Sequence, residues 1–195
     1  MSLNIRRIMP ENKTVFGNRL ELEKEIFSAV REVPDFPKEG ILFKDINPIF
    51  QDSTLCLRII KHLATYYKDK GLDAIVGVES RGFFFGFPLA LELGIPFIPI
   101  RKKGKLPGEV LEERYDLEYG SAVIEVQRGA LKNGDKVLVH DDVLATGGTA
   151  LAAAHLVRKS GAVVEGFNFI IMLGFLGGDE KLNALNCNIY NLAVS

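Results

Sequence analysis

Two adjacent acids, Asp141 and Asp142, stand just before a turn of small residues, Ala145, Thr146, Gly147, Gly148 and Thr149. The whole run, residues 137–149, reads VLVHDDVLATGGT. Its apolar start fits a buried strand, and its end fits a turn entering a helix. In open α/β sheets, ligands bind outside the carboxyl ends of the strands. A glycine-rich turn that opens a helix offers an anion backbone N–H groups and the positive end of the helix dipole. Paired carboxylates repel phosphate but suit ribose hydroxyls or a Mg²⁺-bound sugar. The segment therefore fits a ligand with a phosphate at one end and a hydroxylated ring beside it. Alone, Asp-Asp reads as a solvated turn and Gly-Gly as a loop; their order after a strand carries the inference. The chain contains neither GxxxxGK[ST] nor Gly-x-Gly, which excludes the P-loop and the dinucleotide fingerprint.

Three other stretches have residue types suited to the same ligand. Residues 79–82 (ESRG) follow an apolar run and open a helix, so Ser80, Arg81 and nearby N–H groups can hold an anion; the bland reading of Glu79 and Arg81 is a surface ion pair. Arg101, Lys102, Lys103 and Lys105 form a basic cluster, which is either a solvated face or a receiver for a charged leaving group. Phe43 lies in the run GILFKD between Pro37 and Pro48, where an aromatic ring either joins the core or stacks on a base.

The elements that must position these residues alternate. Apolar spacing predicts a helix over 20–33, stopped by Pro34 and Pro37, and a second from 53 to about 70, capped by Asp52 or Ser53. Strands are expected at 72–79, 95–100, 136–140, 163–173 and 187–194, with helices at 82–93 and 149–159. Pro88 marks a kink or late start in the first of these two helices. This order implies one α/β domain over 1–195: an open, twisted, mainly parallel sheet with helices on both faces. Residues 102–119 break the alternation and read as a long polar lid loop, with a returning strand over 119–126.

The 195 residues carry a formal net charge of -1, so no global field draws the chain to nucleic acid or a membrane. Its apolar runs are too short to span a bilayer. No secretory signal is evident near Met1, and Cys56 and Cys187 cannot build a disulfide framework, which points to a reducing cytoplasm. These two cysteines read as buried structural thiols, and His62, His140 and His155 as packed or surface histidines rather than metal ligands.

The 137–149 signature resembles that of the type I phosphoribosyltransferases, which bind 5-phosphoribosyl-1-pyrophosphate (PRPP). His140 departs from the pattern, which usually has an aliphatic residue there. Residues 34–46 (PDFPKEGILFKDI), 79–82, 101–108 (RKKGKLPG) and 117–120 (LEYG) are similar to the adenine-specific branch. In 178–182 (GDEKL), Asp179 stands where that branch tends to have arginine.

The resemblance implies transfer of the phosphoribosyl group from PRPP to adenine, giving AMP and pyrophosphate, with Mg²⁺ bound mainly through PRPP and a homodimeric assembly. It implies a hood over 34–50, with Phe43 stacking on adenine, Leu42 and Lys44 reading its edge through the backbone, and Val143 packing on the other face. It assigns the sugar to Asp141 and Asp142, and the 5′-phosphate to residues 145–149. Pyrophosphate falls to Ser80, Arg81 and Arg101, the purine imidazole edge to Glu118, and the covering of the sugar to Tyr119. It also implies a cis peptide between Glu79 and Ser80. Two alternatives stand beside this: a transferase for another base, and a PRPP-binding regulator without catalysis. Residues 1–33 offer one helix and no helix-turn-helix, which argues against the regulator.

Overall fold

A computed structural model describes residues 19–116 and 120–195. The chain begins with α1 (Arg19–Ala29), the hairpin β1 (Arg31–Pro34) and β2 (Leu42–Asp45), α2 (Asn47–Gln51) and α3 (Ser53–Tyr67). It continues through β3 (Ala74–Val78), α4 (Gly82–Leu93), β4 (Phe97–Lys102), β5 (Val110–Asp116) and β6 (Ser121–Gln127). It ends with β7 (Lys136–Leu144), α5 (Gly148–Lys159), β8 (Val163–Met172), α6 (Gly178–Asn183) and β9 (Asn188–Val194).

Seven strands form one sheet in the order β5-β6-β4-β3-β7-β8-β9. From β4 to β9 the neighbours run parallel, while β6 joins β4, and β5 joins β6, antiparallel. The expected mainly parallel sheet is therefore present, with an antiparallel arm at one edge. Both faces are covered. Ala150, Ala153, Ala154 and Val157 of α5 pack with Val76, Val137 and Val139 on one side. Leu22, Ile59, Leu63, Phe85 and Leu89 of α1, α3 and α4 pack with Ile75, Leu138 and Ile170 on the other. The alternation Val137, Leu138, Val139 thus serves two cores at once, as buried parallel strands do.

Local sequence accounts for most boundaries. The Asp52 side chain accepts a 2.9 Å hydrogen bond from the Leu55 N–H and starts α3, whose buried face is Leu55, Ile59, Leu63 and Tyr67. Helix α4 spans the predicted residues with Pro88 inside it, and Gly94 closes it at φ 68°. Its buried positions, Gly82, Phe85, Gly86, Leu89 and Ala90, keep helical spacing.

Three expectations change. The first helix ends at Ala29, because Arg31–Pro34 pairs antiparallel with Leu42–Asp45 instead of continuing it. Residues 102–119 are not one long loop: Val110–Asp116 is a strand in full register with Ser121–Gln127. Its inward face is Leu111, Glu113 and Tyr115, and the acid among them breaks the apolar alternation that marks a strand. Asp141 and Asp142 lie within β7 rather than past it, because pairing to β8 continues to Leu144.

Replacing Asp52 with alanine removes the α3 cap and should cost about 1 kcal/mol. Thermal denaturation should show Tm falling by about 2–4 °C, and an unchanged Tm would refute the capping role.

Candidate active site

Strands β3 and β7 lie side by side, with Gly77 paired to His140. Helix α4 leaves β3 over one sheet face and α5 leaves β7 over the other, so a crevice opens between their first turns. Into it converge the 79–82 loop, the two acids and the 145–149 turn.

Helix α4 touches β7 directly. A Cβ added at Gly82 would lie 3.0 Å from Asp141 Oδ1 and 3.0 Å from the His140 carbonyl. That approach brings Arg81 Nε to 2.6 Å from Asp142 Oδ2. The contact is an ion pair; this buried oxygen has no well-aligned hydrogen bond and keeps acceptor capacity, as a sugar hydroxyl requires. Asp141 Oδ1 accepts from the Asp142 N–H at 2.9 Å. Burial, and then the negative charge of Asp142, push the Asp141 carboxyl well above its usual range. The peptide bond between Glu79 and Ser80 is cis, as the resemblance implied.

The 145–149 turn is braced from behind. Gly147 has φ 75°, and a Cβ there would meet the Gly178 carbonyl at 2.7 Å. A Cβ at Gly178 would in turn lie 2.1 Å from the Ala145 carbonyl. Both positions demand glycine, and α6 begins directly against the turn. Asp141, Val143 and residues 144–150 line one small pocket with Phe169.

The basic cluster is organised by Glu79, and the bland pairing of Glu79 with Arg81 does not hold. Glu79 binds Arg101 (3.3 Å from both Nε and Nη2), Lys105 Nζ (2.7 Å) and the Lys102 N–H (2.9 Å), whereas Arg81 pairs with Asp142. Burial alone would raise the Glu79 carboxyl, but these donors, Lys105 foremost, bring it down to about 2. Lys103 pairs with Glu112 at 2.8 Å.

The segment expected to form a hood, 34–50, carries β2 of the β1–β2 hairpin and continues into α2. Arg31 to Asp45 (2.5 Å) and Lys44 to Glu32 tie the hairpin together, and the Phe36 ring meets Phe43 edge-on at 5.1 Å. Phe43 is half-buried and Leu42 exposed, so the core reading of Phe43 does not hold. Lys44 lines a cleft of about 270 Å³ with Phe27, Val30, Glu32, Ile171 and Ser195. Glu118 and Tyr119 lie outside the described residues.

His140 is fully buried beside the acids. Its Nδ1 lies 2.8 Å from Asn168 Oδ1, while Asn168 Nδ2 donates to the Tyr190 carbonyl at 3.0 Å. The amide orientation is thereby fixed, and His140 Nδ1 must be the donor. Its Nε2 has no partner, and burial depresses its pKa to about 4. The reading as a packed histidine stands. Cys56 and Cys187 are only half-buried, and burial raises both thiols. No group of metal-ligating side chains occurs among the described residues, and none of their helices is long and apolar enough to cross a membrane.

An open α/β sheet with paired acids and a glycine turn at its switch point is the frame of a sugar-phosphate-binding domain. The phosphoribosyl transferase domain model matches residues 49–167, and the chain belongs to that family. A relative from Vibrio cholerae serotype O1, called adenine phosphoribosyltransferase, is 47% identical over 86% of this chain and 92% of its own. The structure of the Saccharomyces cerevisiae adenine phosphoribosyltransferase, complexed with adenine and an imino-altritol bisphosphate, is similar with a TM-score of 0.82 and 43% identity, over 89% of this chain and 99% of that one. That from Thermoanaerobacter pseudethanolicus reaches 0.84 at 44% identity, over 88% and 99% of the two chains.

His140 makes stability depend on pH. Its folded pKa lies below the unfolded value of 6.5, so the unfolded chain binds more protons between about 4 and 6.5. The contribution is complete above 6.5 and lost as pH falls toward 4, by up to roughly 3 kcal/mol. Denaturant titrations of wild type and His140→Val over this window should give a shallower pH slope for the variant; equal slopes would refute the assignment.

Proposed function

We propose that this chain transfers the 5-phosphoribosyl group of PRPP to adenine, giving AMP and pyrophosphate in purine salvage. One observation carries the reading: the Arg81 loop, the Asp141–Asp142 pair and the 145–149 turn meet at one crevice. They do so in a chain 47% identical to an adenine phosphoribosyltransferase.

The assignment of roles follows the chemistry. Residues 145–149 hold the 5′-phosphate through backbone N–H groups at the start of α5. Asp141 and Asp142 orient the ribose hydroxyls and favour the positive charge that grows on the ring as pyrophosphate leaves. Ser80, Arg81 and Arg101 receive the pyrophosphate. Adenine lies under the hood, with Phe43 stacking on it, Leu42 and Lys44 reading its edge through backbone groups, and Val143 on the opposite face. Glu118 shares a proton with N7 as N9 attacks, and Tyr119 covers the sugar. The arm over 102–119 excludes water from the crevice.

Mg²⁺ fits this site as a companion of the substrate. The paired carboxylates are hard oxygen donors, yet no set of three acidic, histidine or cysteine ligands exists among the described residues to hold the ion alone. Held with the substrate beside Asp141 and Asp142, it would neutralise charge on the leaving group.

The functional unit we propose is a homodimer. Phe84, Phe87 and Leu91 form an exposed stripe on α4, with Leu57 exposed on neighbouring α3, and a second copy would cover such a surface. Two free cysteines in a chain of this charge suit the reducing cytoplasm.

Incubation with PRPP, Mg²⁺ and each of adenine, hypoxanthine, guanine and orotate should release pyrophosphate with adenine alone. Release with none would favour a binding protein, and release with another base would redirect the specificity. Asp142→Asn should lower kcat by about two or three orders of magnitude, the scale of losing one group that stabilises transition-state charge. Circular dichroism should remain that of the folded protein, and full turnover would remove Asp142 from the sugar site.

A further inference from the structure

Beside the apolar packing of Leu111 and Tyr115, the arm formed by β5 and β6 meets α5 through one inward-facing carboxylate. Glu113 lies on the face of β5 that also carries Leu111 and Tyr115, and its side chain is only 15% exposed. His155 Nδ1 lies 2.9 Å from Glu113 Oε1, and Lys159 Nζ pairs with Oε2. Lys159 Nζ also donates to the Glu112 carbonyl at 2.9 Å. The two donors stand four residues apart on α5, so they rise from one helix face. Both carboxylate oxygens are thereby occupied, which offsets the cost of covering the charge.

The geometry limits where the arm can lie. An apolar residue at 113 would hold β5 against α5 at several registers, because apolar contact is not directional. A carboxylate gripped from two points fits only one. A one-residue slip would also turn Glu113 to the outer face. Three residues on, the arm passes the start of α5: a Cβ at Gly148 would lie 3.6 Å from the Asp116 carbonyl and 3.8 Å from Tyr115 Cδ2. Gly148 belongs to the turn proposed to hold the 5′-phosphate.

We propose that Glu113 is a positioning residue for phosphoribosyl transfer: by clasping His155 and Lys159 it fixes the arm over the phosphate turn and so sets the affinity for PRPP. The proposal rests on the transferase reading. No other ionisable group is needed, and His155 enters as a donor that does not touch the substrate.

The test is a double-mutant cycle with Glu113→Gln, Lys159→Met and their combination, in the full chain. Each single variant should raise KM for PRPP by about tenfold, within the usual range for coupling between sites, while Tm stays near wild type. The double variant should be no worse than either single one, because one clasp is lost in each case. Additive effects, an unchanged KM, or a loss confined to Tm would overturn the clasp. Amide hydrogen exchange across 110–116 needs no substrate and should quicken in all three variants. Unchanged exchange would overturn the proposal, whereas quickened exchange in a chain whose wild type fails to convert adenine would fault the transferase reading instead.

Discussion

The approach of α4 to β7 is the constraint on which the site depends. Because Gly82 has no side chain, the first turn of α4 rests against Asp141 and the His140 carbonyl. Only at that distance do Arg81 and Asp142 meet, which places a cation and a pair of acids within one ligand's length. Gly86, one turn on, sits equally close to the His140 ring, where a Cβ would lie 3.0 Å from Cδ2. A packed core transmits such displacements rather than absorbing them, so a methyl group at either glycine would move the Arg81 loop with the helix.

Charge is distributed around this contact with little left unpaired. Glu79 gathers Arg101 and Lys105, Glu112 holds Lys103, and Glu113 holds Lys159. Each acid is placed so that a segment of the arm or its base has a fixed anchor. The exposed pairs contribute little to stability. Their value lies in geometry, since they orient flexible cations near a crevice that must receive a polyanion.

Much of this was legible in the sequence. The strand-acid-turn order of 137–149 and the helix over 82–93 were readable because each depends on neighbours in the chain. What was not readable depends on contacts across the fold. Glu79 finds its partners 22 and 26 residues away, and Arg81 finds its partner on β7. Strand β5 escaped notice because Glu113 occupies an inward position where periodicity expects an apolar residue. Nothing in the sequence around Gly178 signals its need for glycine, and only the backbone at Ala145 explains it.

The buried pair of His140 and Asn168 has a consequence for how this chain can have arisen by single substitutions. Asn168 introduced first beside an aliphatic residue at 140 would still donate to the Tyr190 carbonyl and would leave one oxygen unpaired. Histidine introduced first, beside an aliphatic residue at 168, would place two ring nitrogens in the interior with no partner from that position. Since an unpaired buried polar group costs about 1–3 kcal/mol, the two orders are not equivalent. The favoured order runs through asparagine, and once histidine has followed, asparagine is the residue that cannot revert alone, because its loss would leave both ring nitrogens without a partner.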